Sequence, residues 1–131
     1  MSDAEQFLRR YFAALADMKT GDELATFFHP GIEQTEFPNA LSPKGAVRDL
    51  AAILEGAERG KLVTSAQTYV IENLVLDGQR AIAEVIWTGT LAMDVARLQK
   101  GDVMRARFAC AFELRNDLIY RQRNYDCFDP F

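Results

Sequence analysis

The chain has 131 residues, of which 49% are hydrophobic and 26% charged, as expected for one globular domain spanning residues 1–131. Its net charge of −4 argues against nucleic-acid binding, because phosphate contacts need clustered Lys and Arg. No apolar stretch is long enough to cross a membrane, and the acidic start lacks a secretion signal, so we expect a cytoplasmic protein.

The chain begins with two helix-like segments. Ser2 and Glu5 form a capping box, and apolar residues at helical spacing then predict a first helix as far as Met18. A second capping pattern at Thr20 predicts a short helix, which Pro30 should end.

A short strand and a third helix follow. The strand is predicted over residues 32–37. Ser42 and Pro43 predict the start of the third helix, because a hydroxyl cap followed by proline is a common helix beginning. Gly56 and Gly60 should loosen and end this helix.

From Leu62 onward the apolar period changes to two, which predicts long strands. The strand candidates are residues 62–76, 81–93, 103–114 and 118–128. Asp77-Gly78 and Asn116-Asp117 are hairpin turns, so neighbouring strands should be antiparallel. We therefore predict an α+β fold, in which three N-terminal helices cover the concave face of a cone-like, curved antiparallel sheet.

Alternation along the middle strands predicts a pocket between the two layers. Trp87 should face the helices, because Glu84 on the opposite face belongs in water. The inward set of the next strand contains Phe108, Cys110 and Phe112. The two cysteines, Cys110 and Cys127, have no zinc-type spacing, so we predict buried free thiols and no metal.

The last strand allows two registers, and one step exchanges its faces. A strict two-residue turn would place one set of side chains inside, namely Arg121, Arg123 and Tyr125. A bulge or a longer loop would instead place inside Tyr120, Gln122, Asn124 and Asp126. We prefer the second register, because two unpaired guanidiniums cost more to bury than amides and one carboxylate.

The short strand carries two polar residues on one face, Gln34 and Glu36. Because the neighbouring inward positions are mostly apolar, a lone inward Glu36 would be desolvated and its pKa raised. Such a carboxyl group suits a general acid or base near neutral pH. The opposite orientation, with Thr35 and Phe37 inside, stays open.

The order and spacing of several segments resemble the superfamily of nuclear transport factor 2, in its SnoaL-like and ketosteroid-isomerase-like branch. The segments are residues 10–15, 36–39, 42–45, 87–90 and 123–126. The resemblance covers nearly the whole chain. It implies a cone-like α+β barrel with an apolar pocket, often dimeric through the outer face of the sheet.

The resemblance also implies roles for individual residues. Tyr11 matches a tyrosine that donates to an oxyanion in the ketosteroid isomerases, but Phe37 and Cys110 replace their two catalytic aspartates. Asn124 stands near the water-activating aspartate of related epoxide hydrolases. The polyketide cyclases of the SnoaL type need an acid–base aspartate on a late strand, and Asp126 is the nearest candidate.

We therefore predict a pocket for a mostly apolar small molecule, used without a metal or organic cofactor. The protein would be an isomerase, cyclase or hydratase, or alternatively a non-catalytic binding module of the same fold. A structural dimer with a filled cavity is a third possibility. The predicted catalytic residues are Glu36, Asp126 and Tyr11. The predicted ligand-binding residues are Gln34, Trp87, Phe108, Cys110, Phe112, Tyr120, Gln122 and Asn124.

Overall fold

The computed structural model describes residues 2–131 as an α+β fold, which confirms the predicted class. The helices are α1 (Asp3–Ala16), α2 (Gly21–Ala25) and α3 (Leu50–Val63). The strands are β1 (Phe28–Glu36), β2 (Ala46–Arg48), β3 (Thr64–Asp77), β4 (Arg80–Leu91), β5 (Val103–Arg115) and β6 (Leu118–Phe128). Within residues 2–131, no helix combines the length and the apolar composition that a membrane crossing needs.

All six strands form one curved sheet in the order β2-β1-β6-β5-β4-β3. The strands β3 to β6 are antiparallel neighbours, as their hairpin turns predicted. Strand β1, however, runs parallel to β6, so the sheet is mixed rather than wholly antiparallel. The two strands are far apart in sequence, and an apolar pattern does not identify a distant partner or its direction.

The boundaries of the second and third helices differ from the prediction. Pro30 lies inside β1, at an irregularity in the pairing with β6 where a missing N–H is tolerated. Ser42 and Pro43 lie in a loop, and β2 follows before α3 begins. Asp49 caps α3 by accepting a hydrogen bond of 2.9 Å from the Ala52 N–H. Gly60 is inside this helix rather than at its end.

The core lies between the helices and the concave face of the sheet. The helices contribute buried side chains, namely Leu8, Phe12, Leu24 and Ile53. A smaller apolar cluster lies at the other end of the sheet and is built on Trp87, Met104 and Ala106. Residues from both clusters line the cavity that is described next.

Candidate functional site

Strand β6 adopts the bulged register. Its pairing with β5 shifts between Glu113 and Leu114, and the shift leaves Tyr120 without a directly opposite residue. Beyond this bulge, the inward side chains are Gln122, Asn124 and Asp126. Arg123 lies on the outer face, where its guanidinium is 3.0 Å from Glu113.

A cavity of about 300 Å³ lies between the helices and the sheet. The predicted polar residues that line it are Tyr11, Gln34, Gln122, Asn124 and Asp126. The predicted apolar residues that line it are Trp87, Phe108 and Cys110. Within residues 2–131 there is no group of three or more His, Cys, Asp or Glu side chains that could hold a metal ion.

Three predicted site residues are not in this lining. Phe112 is buried in the core, where its ring contacts the ring of Tyr11 edge-on. Tyr120 lies at the bulge and packs against His29, with the guanidinium of Arg115 only 3.7 Å from its ring centre. Glu36, the third, lies beside the cavity in an ion pair that is described below.

Four polar side chains of the cavity form a connected chain of hydrogen bonds. The Tyr11 hydroxyl lies 3.4 Å from both side-chain polar atoms of Gln122. Gln34 donates to the Gln122 Oε1 at 3.2 Å, and the Gln122 Nε2 donates to the Asn124 Oδ1 at 3.0 Å. Within residues 2–131, the Asn124 Nδ2 has no protein acceptor, so this amide can donate to a ligand.

Burial keeps two groups of the cavity, Tyr11 and Cys110, in their neutral form. The pKa of Tyr11 is raised well above its usual value by desolvation, so the hydroxyl stays neutral and can donate a hydrogen bond. Desolvation raises the pKa of the Cys110 thiol to about 12, so that thiol is also neutral.

The sequence predicted that both cysteines are buried, and this was wrong for Cys127. Its thiol is exposed, because alternation along β6 turns it to the outer face.

Asp126 supplies the carboxyl group of the cavity. In residues 2–131 no side chain or backbone group forms a hydrogen bond or ion pair with this carboxyl. Burial and, to a smaller extent, the charge of Glu36 raise the pKa of Asp126 to about 6, while the charge of Arg48 opposes the rise. A carboxyl with this pKa exists in both protonation states near neutral pH, as a general acid or base requires.

Glu36 is not the lone inward carboxylate that the sequence predicted. Its Oε1 lies 2.9 Å from the Arg48 guanidinium, and its Oε2 accepts a hydrogen bond of 2.7 Å from Asn39. Only 17% of the Glu36 side chain and 24% of the Arg48 side chain are exposed. Arg48 belongs to β2, which the sequence did not predict, and its register opposite Gln34 brings it to this position.

Two cavity residues on β3 were missed. Gln67 and Tyr69 line the cavity, and Gln67 accepts a hydrogen bond of 3.0 Å from the Trp87 indole. A signal was present, because alternate residues of β3 share one face and Tyr69 lies opposite Trp87. Burial raises the pKa of Tyr69 far above its usual value.

A cone-like α+β fold around an apolar cavity with a few polar groups is the architecture of the class named for nuclear transport factor 2. Within this class, the chain belongs to the family of the SnoaL-like domain, whose model matches residues 8–122. No curated protein matches the chain in sequence.

Several solved structures share this fold at low sequence identity. AclR from Streptomyces galilaeus, a proposed hydroxylase, has a TM-score of 0.81 and 11% identity over 99% of this chain and 82% of its own. IdmH from Streptomyces antibioticus, a proposed polyketide cyclase, has a TM-score of 0.77 and 15% identity, covering 95% and 92%. TerC, crystallised with polyporic acid, has a TM-score of 0.74 and 17% identity, covering 98% and 92%.

Proposed function

We propose that the protein binds a mostly apolar small molecule that carries a carbonyl group, and that Asp126 transfers a proton to or from it. The reaction would be an isomerisation, cyclisation or hydration. The observation that carries this proposal is the position of Asp126, which lines an otherwise mostly apolar cavity and whose pKa burial raises to about 6. Family membership supports it, since proposed polyketide cyclases share the fold.

The neighbouring groups suit the removal of a proton next to a carbonyl. Asp126, as the carboxylate, would accept a proton from the carbon beside the carbonyl, and negative charge would then develop on the carbonyl oxygen. The Asn124 Nδ2 and the neutral Tyr11 hydroxyl are donors that could stabilise this oxygen. Return of the proton to another carbon completes an isomerisation. Attack of the enolate on a second carbonyl forms an alkoxide, and transfer of the proton from Asp126 to this alkoxide completes a cyclisation.

The first test measures proton abstraction from an apolar bicyclic ketone, beta-tetralone, in deuterated water. We expect the protein to accelerate deuterium incorporation beside the carbonyl, and the rate to rise as pH increases through about 6, because the base is then deprotonated. Asp126→Asn should lower the protein-dependent rate by about 100-fold or more, which is the usual contribution of a general base.

Glu36→Gln is the matched control for this experiment. Because the Glu36 charge adds to the raised pKa of Asp126, its removal should move the midpoint of the pH profile to lower pH while activity persists. Loss of exchange in Glu36→Gln together with full activity in Asp126→Asn would contradict the assignment of Asp126 as the base.

A non-catalytic binding module is the second candidate, and the hydrogen-bond chain favours it. Tyr11, Gln34 and Gln122 already bond to one another, so they form a fixed polar surface that can recognise a ligand without chemistry. In that case beta-tetralone would bind, but its deuterium incorporation would not exceed the rate without protein at any pH.

The protein is also proposed to form a homodimer through the outer face of the sheet. Exposed apolar residues support this assignment, since large exposed apolar patches usually mark interaction sites. They include Val70, Val75, Ile82 and Tyr125. The cytoplasmic location stays a prediction.

A further inference from the structure

A second cavity, of about 220 Å³, lies beside the first. It is enclosed by the end of α1, the middle of α3 and the start of β3, with Met18, Gly56 and Thr64 among its lining residues. Four residues line both cavities, namely Leu15, Ala57, Gln67 and Tyr69. These four side chains therefore form a partition between the two spaces.

Gln67 is the polar member of this partition, and it is held at both ends. Its Nε2 donates a hydrogen bond of 2.6 Å to the Leu15 carbonyl of α1. Its Oε1 accepts the hydrogen bond of 3.0 Å from the Trp87 indole on β4. The Leu15 carbonyl lies in the last turn of α1 and also accepts a hydrogen bond of 3.0 Å from the Met18 N–H. These bonds fix the amide between the sheet and α1.

Gln67 lies across the sheet from the proposed chemistry. Gln67 is on β3 and Asp126 is on β6, and the strand order places β4 and β5 between them. Three strand spacings of about 4.8 Å correspond to roughly 14 Å along the sheet. With about 300 Å³, the first cavity is at the lower end of the range for ligand sites, roughly 300–1,000 Å³.

We propose that Gln67 is a specificity-determining residue that limits the length of the ligand. The polar group of the ligand lies against β6, and its apolar end points along the cavity to Gln67, which closes the route into the second cavity. This inference rests on the proposed binding of an apolar molecule with a polar group. It predicts that a shorter side chain at position 67 joins the two cavities and admits a longer molecule.

The experiment uses two probes with the same polar group, para-ethylphenol and para-octylphenol. Binding is followed by the fluorescence of Trp87, the single tryptophan of the chain, which lines the cavity. We expect Gln67→Ala to bind para-octylphenol at least about tenfold more tightly than the native protein does, since each extra buried methylene contributes about fourfold. The affinity for para-ethylphenol should change less than about threefold.

Gln67→Leu is the matched control, because it removes both hydrogen bonds but keeps most of the bulk. It should not gain affinity for para-octylphenol. Equal gains in Gln67→Ala and Gln67→Leu, or tight binding of para-octylphenol by the native protein, would overturn the length limit.

A crystal structure of Gln67→Ala separates this inference from the proposed function. Continuous cavities would support the partition even if neither phenol bound, and the failure would then belong to the proposed ligand class. Two cavities that remain separate in Gln67→Ala would overturn the role of Gln67, whatever the phenols do.

Discussion

Gly89 has no side chain, and the Trp87 indole occupies the space that a side chain there would fill. A Cβ at this position would lie 2.5 Å from Cζ2 and 2.6 Å from Cη2 of the indole. The indole stacks on Phe108, with ring centres 5.6 Å apart, and both rings line the cavity. A larger residue at position 89 would therefore displace the indole and change the shape of the cavity without altering a polar group.

We predict that Gly89→Ala displaces the indole and lowers the free energy of unfolding by about 1–3 kcal/mol, the usual cost of overpacking. Denaturant unfolding measures the loss, and a shift of Trp87 emission reports the displaced ring. Gly60→Ala is the control, because a Cβ there meets no atom within 4 Å and lies in helix α3. A Gly89→Ala variant as stable as the native protein would refute the prediction.

Residue types predicted the lining of the cavity on β6 but not the partners of Glu36. Because guanidiniums are costly to bury, we predicted the register of β6 that turns Gln122, Asn124 and Asp126 inward, and the structure has this register. Pairing with Arg48 could not be anticipated, because it depends on a strand of three residues whose pattern is too short to recognise.

The segment before α3 explains why the predicted start of this helix was wrong. Ser42 and Pro43 resemble a helix beginning, but Gly45 has φ +65° and a Cβ there would lie 2.4 Å from the Glu36 carbonyl oxygen. This tight turn sends the chain back along β1 as β2, and the helix begins only after Asp49. The same residue types favour turns and helix caps, so local sequence does not separate them.

We predict that Asp49→Ala lowers the free energy of unfolding by about 1 kcal/mol, because the first turn of α3 loses its cap. Thermal or urea unfolding measures this effect. Asp49→Asn should keep most of the stability, since an amide oxygen can accept the same bond. Ser42→Ala tests the alternative start, and a loss equal to that of Asp49→Ala would contradict the observed boundary.

The fold class and the position of the cavity followed from the order of helices and strands. The pairing of β1 with β6 did not, because alternation fixes which side chains share a face but not which distant strand lies beside another. The shape of the site depends on this pairing, since β1 contributes Gln34 and β6 contributes Gln122 to one hydrogen bond.

The proposed dimer can be tested by a charge on the outer face of the sheet. Ile82 is 53% exposed on the outer face of β4, among the other apolar side chains of that face. Ile82→Glu should convert a dimer into a monomer, as measured by sedimentation velocity, because a buried unpaired charge is costly. Leu62→Glu, at an exposed position in α3, should leave the assembly unchanged. A native protein that sediments as a monomer would refute the dimer.

The parallel pairing of β1 with β6 has a consequence for synthesis on the ribosome. Strand β1 emerges early, but the strand beside it in the middle of the sheet, β6, is translated after all the others. Until then β1 has only the short β2 as a neighbour, and the carboxyl group of Asp126 does not yet exist in the nascent chain. The acquisition of ligand binding should therefore coincide with the closing step of folding rather than precede it.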